Sequence, residues 1–147
     1  MSLGKWDARF LEVAKLAANW SKDPNAKVGA VIVDAQGQIA GVGYNGFPKM
    51  VEDSAERYGD VDTKLEMIVH AEENAVLGAS VRARGASIYV FGKPVCARCA
   101  GTIIQAGIKR VIAEEPKTGT TSKWDKSGHI ARKMLTEANI EFVPASN

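Results

Sequence analysis

Two cysteines and two histidines are all that the 147 residues contain, and three of the four fall in two short motifs. His70-Ala71-Glu72 sets an imidazole two residues from a carboxylate, and Cys96-Ala97-Arg98-Cys99 is a C-x-x-C. Zinc takes thiolate and imidazole ligands tetrahedrally, and a site with three protein ligands leaves a fourth position for a water whose pKa falls to about 7. His70, Cys96 and Cys99 are therefore candidate ligands for one zinc ion, and Glu72 is the candidate for handling that water's protons. The bland alternative is a satisfied core histidine beside a redox pair or half of a closed zinc site. A closed site needs a fourth ligand, and the remaining histidine, His129, follows Gly128 in a polar stretch that reads as solvated.

Periodicity supplies the elements that must position these groups. Trp6, Phe10, Val13, Ala17 and Trp20 recur at helical spacing and predict an amphipathic helix over 5–20, closed by Ser21, Asp23 and Pro24. Val28 to Val33 is an apolar, β-branched run typical of a buried strand, and the turn Ala35 to Gln38 leads into a second strand over 39–43. Residues 44–63 are polar and aperiodic, a functional loop or one carrying a short helix. Leu65 to Ser80 has helical spacing, with His70 at the start of the helix proper. A strand over 87–91, a helix over 97–105 ended by Gly107 and a strand over 108–113 follow. A helix over 127–139 and a short strand over 141–143 complete the chain. His70 and Cys96 are 26 residues apart, the length of a helix, a turn and a strand. Such a crossover brings two helix starts to one edge of a sheet, where their positive ends favour thiolate and carboxylate charge. The order predicts an α/β fold, a three-layer α/β/α sandwich around a central mixed five-stranded sheet.

Apolar content of 46% and charged content of 24% are ordinary for a globular chain, and a length of 147 residues argues for a single domain over 1–147. A net charge of +2 is too small to point to nucleic acid or a membrane surface. No apolar run is long enough to span a bilayer or to serve as a secretory signal, so a cytoplasmic location is expected. The opening Met1-Ser2-Leu3 carries no weight in this reading.

The pairing of H-x-E with a proline-led C-x-x-C is the signature of zinc-dependent nucleobase deaminases. From Lys27-Val28-Gly29-Ala30-Val31-Ile32-Val33 through Ile108-Lys109-Arg110-Val111, the sequence resembles the cytidine and deoxycytidylate deaminase superfamily. Gly43-Tyr44-Asn45-Gly46-Phe47-Pro48 and His70-Ala71-Glu72-Glu73-Asn74-Ala75 are most similar to the deoxycytidylate (dCMP) branch. The resemblance implies a cytidine deaminase-like fold and zinc held by His70, Cys96 and Cys99, with Glu72 carrying protons as dCMP becomes dUMP and ammonia. It leaves open another amino-substituted base or nucleoside, such as cytidine, cytosine or a guanine-like ring, and less favourably a non-catalytic zinc-stabilised module. Residues 44–69 hold no cysteine or histidine for a second, structural zinc, so one ion per chain is expected. In one departure from the family pattern, Val95 stands between Pro94 and Cys96.

By the same resemblance, Asn45 is expected to meet the sugar hydroxyl, and Ala71 belongs to the substrate-binding set. Ser21, Lys22, Asn25 and Lys27 are the first candidates for the phosphate, with Lys49 and Arg57 as alternatives. Trp124 is either a pocket-lining aromatic or a packing anchor, and Arg98 is expected to point outward. A homo-oligomer, hexamer or dimer, is the implied assembly.

Overall fold

Val31, Ile32 and Val33 are buried on both sides because β1 (Gly29–Val33) runs through the middle of the fold. A computed structural model describes residues 3–146; Met1 and Ser2 of the opening triplet, and Asn147, lie outside the described residues. β1 pairs antiparallel with β2 (Ile39–Tyr44), giving the predicted hairpin, and antiparallel with β3 (Ser87–Phe91) on its other side. β3, β4 (Arg110–Ala113) and β5 (Glu141–Pro144) are parallel, so the five-stranded sheet is mixed, in the order β2-β1-β3-β4-β5.

Alternation along the strands sends two sets of side chains to opposite faces. Val31, Val33, Tyr89, Ile112 and Val143 pack with Ala14 of α1 (Lys5–Ala18). Ala30, Ile32, Ile88, Val90 and Val111 pack beneath α4 (Ala71–Ala79), α5 (Ala97–Gln105) and α6 (Lys123–Glu137). This is the expected three-layer arrangement. α4 lies unusually close to the sheet, because β2 presents glycine to it: a Cβ at Gly43 would collide with the Ala71 carbonyl and the Ala75 amide.

Residues 44–63 carry the short helix that the expectation allowed, α2 (Ala55–Gly59), and α3 (Val61–Met67) begins at their end. Two local expectations are corrected. The helix expected over 65–80 is broken at Ile68-Val69-His70, because Val69 forms an isolated β-bridge with Gly46, donating to it at 2.8 Å and accepting from it at 3.1 Å. α6 starts four residues early, since the Ser122 hydroxyl caps it by accepting from the Trp124 amide.

The apolar stripe of α1 holds at Phe10, Val13 and Ala17, which are buried or partly buried, but not at its ends: Trp6 and, beyond the end of α1, Trp20 are 59% and 55% exposed, while Asp7 is buried. Asp7 turns inward because donors await it. Its two oxygens accept from Arg110 at 2.7 and 2.8 Å, from the Tyr89 hydroxyl at 2.8 Å and from the Gly4 amide at 2.9 Å. The guanidinium holds the Asp7 carboxyl well below the usual carboxylate range, while burial and Asp7 push the Tyr89 phenol up to about 12. Removing one partner of such a pair strands the other charge, so Arg110→Ala is expected to cost about 3–5 kcal/mol in urea denaturation at neutral pH. Asp7's lowered pKa stabilises the fold fully above its ordinary value of 3.8, and that contribution is lost as pH falls further. The gap between wild type and variant therefore narrows in acid.

Candidate active site

The chain direction in β2 and β3 delivers the starts of α4 and α5 to the same end of the sheet. His70 is the N-cap of α4, held extended at φ −74°, ψ 154°, and its amide donates to Glu73 Oε1 at 3.0 Å. Cys96 is the N-cap of α5, and its sulfur accepts from the Cys99 amide at 3.5 Å. These caps, which replace missing intrahelical partners, set three side chains face to face. His70 Nδ1 lies 3.2 Å from Cys99 Sγ and 3.5 Å from Cys96 Sγ.

All three ligand atoms lie within 4.8 Å of one another, and no other group of three or more such residues that could hold a metal occurs among the described residues. Both cysteines are free thiols. Two sulfurs and one imidazole nitrogen, buried at two helix N-termini, form a donor set suited to a single zinc ion. The hydrogen bond from Cys99 and the neighbouring imidazole pull the Cys96 thiol down to about 4, whereas donation to Cys96 and burial hold Cys99 well above its ordinary value. Glu72, 4% exposed in the first turn of α4, has its carboxyl pushed up to about 7 by burial. His129 is exposed and bonded through Nε2 to the Lys117 carbonyl at 2.9 Å, away from this group.

A cavity of about 560 Å³ opens over the cluster. Its lining includes His70, Ala71, Glu72, Cys96, Asn45, Asn25 and Trp124. Val95 is buried in the core beneath α5 while Pro94 faces the cavity, so the extra residue before Cys96 is absorbed into packing. The Asn45 amide braces the 23–28 segment: Oδ1 accepts from the Val28 amide at 2.9 Å, and Nδ2 donates to the Ala26 carbonyl at 2.8 Å.

Three candidates for the phosphate do not line the cavity. Ser21 is buried and donates to the Asn45 carbonyl at 2.8 Å; Lys22 is exposed and paired with Asp53 at 2.8 Å; Lys27 is exposed. Lys49 and Arg57 lie outside the lining as well. The cations on the wall are instead Lys64, Lys93 and Lys123, none of which the sequence reading singled out. Lys64 is committed to Asp23 at 3.2 Å. Lys93 Nζ lies 4.3 Å from the centroid of the Trp124 ring, and burial pulls its pKa below the ordinary value. A lysine two residues before Val95 and another beside Trp124 were the available signals. α6 is fixed against α5 by the Ser127 hydroxyl, which accepts from the Ala97 amide at 2.8 Å.

The model of the cytidine and deoxycytidylate deaminase zinc-binding region matches residues 4–115. The chain belongs to the cytidine and deoxycytidylate deaminase family. It is accordingly a zinc-dependent hydrolytic deaminase, with the family's zinc-binding region and the His70-Cys96-Cys99 cluster in agreement. It is 44% identical to human deoxycytidylate deaminase, over 94% of this chain and 78% of that one. An uncharacterized deaminase from the luxG 3' region of Aliivibrio fischeri is 39% identical, over 95% of this chain and 92% of that protein. The fold matches that of a dCMP deaminase from cyanophage S-TIM5, solved in complex with dCMP and dUMP, with a TM-score of 0.76 at 22% identity, covering 97% of this chain and 98% of that one.

Proposed function

We propose that this deaminase converts dCMP to dUMP and ammonia in pyrimidine deoxynucleotide metabolism, as a cytoplasmic enzyme. The carrying observation is one cavity that joins Glu72 and the zinc cluster to two lysines, Lys93 and Lys123, that have no carboxylate partner among the described residues. Deoxycytidylate deaminases at 38–44% identity favour the same substrate.

Held by His70, Cys96 and Cys99, zinc supplies Lewis acidity that lowers the pKa of a bound water to about 7. Glu72 accepts a proton from the attacking water at a carboxylate oxygen and passes it to ring N3 as the water oxygen bonds to C4. The same carboxylate then takes the remaining hydroxyl proton of the tetrahedral adduct and delivers it to the 4-amino group, so that C4=O forms as the C4–N bond breaks and ammonia leaves. A carboxyl raised to about 7 by burial is well placed to both accept and donate near neutral pH. Asn45 Oδ1 accepts from the Val28 amide and, having a second lone pair, takes a sugar hydroxyl. Asn25, Lys93 and Lys123 receive the phosphate, and Trp124 walls the pocket. A homo-oligomer belongs to the proposal, supported by the outward Ile39, Val42 and Tyr44 of edge strand β2.

Ammonia release from dCMP, deoxycytidine, cytidine, cytosine and guanine tests the substrate. dCMP is expected to give the highest kcat/KM, and equal efficiency on deoxycytidine would overturn the phosphate reading. Lys93→Ala should lower efficiency on dCMP about tenfold more than on deoxycytidine, the scale of one charge-assisted contact.

A further inference from the structure

We propose that Arg98 is a positioning residue that locks the two ligand-bearing helix starts together through Glu73. Arg98 stands between the two cysteine ligands, in the first turn of α5. A cation there opposes the positive end of the helix dipole. It does not simply point to solvent, as its sequence position suggested. One guanidinium nitrogen donates to Glu73 Oε1 at 2.9 Å and approaches the Ile68 carbonyl at 3.5 Å, both across the gap to the α4 side.

Glu73 Oε1 is the same oxygen that accepts from the His70 amide at 3.0 Å. One carboxylate oxygen therefore takes a donor from each ligand-bearing segment: the backbone of the histidine ligand and the side chain between the cysteines. Zinc tolerates little error in this spacing, because its bonds to nitrogen are about 2.0–2.1 Å and to sulfur about 2.3 Å. A slip of α4 along α5 by a few tenths of an ångström would carry His70 Nδ1 off both sulfurs. Arg98 and Glu73 oppose that slip without touching substrate, since neither lines the cavity. The ion pair is half exposed on the arginine side, where the side chain is 51% accessible, so its contribution to global stability is small. Its role is in geometry.

The inference rests on the zinc site and not on which ring is deaminated, so metal binding tests it independently of substrate. Zinc affinity would be measured by competition with a chromophoric chelator, beside the visible spectrum of the cobalt-substituted protein and a kcat and KM analysis. Arg98→Ala and Glu73→Gln are each expected to weaken zinc about tenfold and to alter the cobalt bands. The glutamine keeps an acceptor for the His70 amide while removing the charge that holds Arg98. The double variant should be no worse than the poorer single one, as for two residues acting as a unit. Arg98→Lys should recover part of the loss, kcat should fall with KM nearly unchanged, and the metal-free melting temperature should stay at the wild-type value. Wild-type zinc affinity with an unaltered cobalt spectrum, or additive losses, would overturn the proposal. So would a matching drop in metal-free melting temperature in both single variants, which assigns the pair to stability alone. If Arg98→Ala does not fold, the near-isosteric Glu73→Gln carries the same comparison.

Discussion

Glu72→Gln is expected to retain its zinc and to lose about 10²- to 10⁴-fold in kcat, the contribution of a positioned acid–base group. The substitution preserves shape in a site that is 4% exposed, so neither the α4 start nor the ligands need to move. What it removes is the ability to accept a proton, since an amide has no basic oxygen near neutral pH. Hydrolytic deamination needs at least two proton movements, onto ring nitrogen and onto the departing amine, and Glu72 is the carboxylate that shares a cavity wall with His70 and Cys96. Ammonia release measured beside metal content by atomic emission separates the outcomes. Near-normal turnover with a full zinc complement would take Glu72 out of the chemistry, whereas loss of zinc would make it a structural residue.

Cys99→Ala is expected to abolish stoichiometric zinc and reduce activity to background. Chelation of the wild-type protein should do the same reversibly, with about one equivalent of zinc per chain restoring turnover. Cys99 is 0% exposed and meets the histidine nitrogen at 3.2 Å, so no neighbouring group can take its place from solvent. His129, the only other residue of comparable ligand type, is occupied by the Lys117 carbonyl. The metal-free chain should remain folded, because the sheet carries apolar cores on both faces without it. It should melt earlier than the zinc-loaded chain, since a ligand that binds only the native state stabilises it by mass action. Full activity after exhaustive chelation, with zinc shown to be gone, would contradict the assignment.

How much of this was visible in the sequence varies by residue. The hairpin of β1 and β2 was legible because Val31, Ile32 and Val33 are β-branched or apolar throughout and a tight turn follows them. The single helix expected over 65–80 was wrong for a nonlocal reason: Val69 bridges Gly46, more than twenty residues earlier, and periodicity within 65–80 cannot report that. The start of the α1 stripe misled for a similar reason. Asp7 scores as a surface residue until Arg110, from the far half of the chain, supplies the charge that lets it turn inward.

The candidate zinc ligands His70, Cys96 and Cys99 belong to what the sequence by itself brought forward. Imidazole and thiolate are scarce in this chain, their spacing sets them at the starts of two helices joined by a crossover, and zinc accepts few other groups. Only the tertiary structure decided what surrounds them. Lys93 and Lys123 reach the cavity while Lys22 and Lys27 do not, and half-exposed Arg98 meets Glu73 as well as solvent. Lysine and arginine are common and long, and nothing in their own neighbourhood distinguishes one that faces a cavity from one that faces water. That distinction is made by which loops and helix ends meet above the strand termini, and those contacts join residues far apart in the chain.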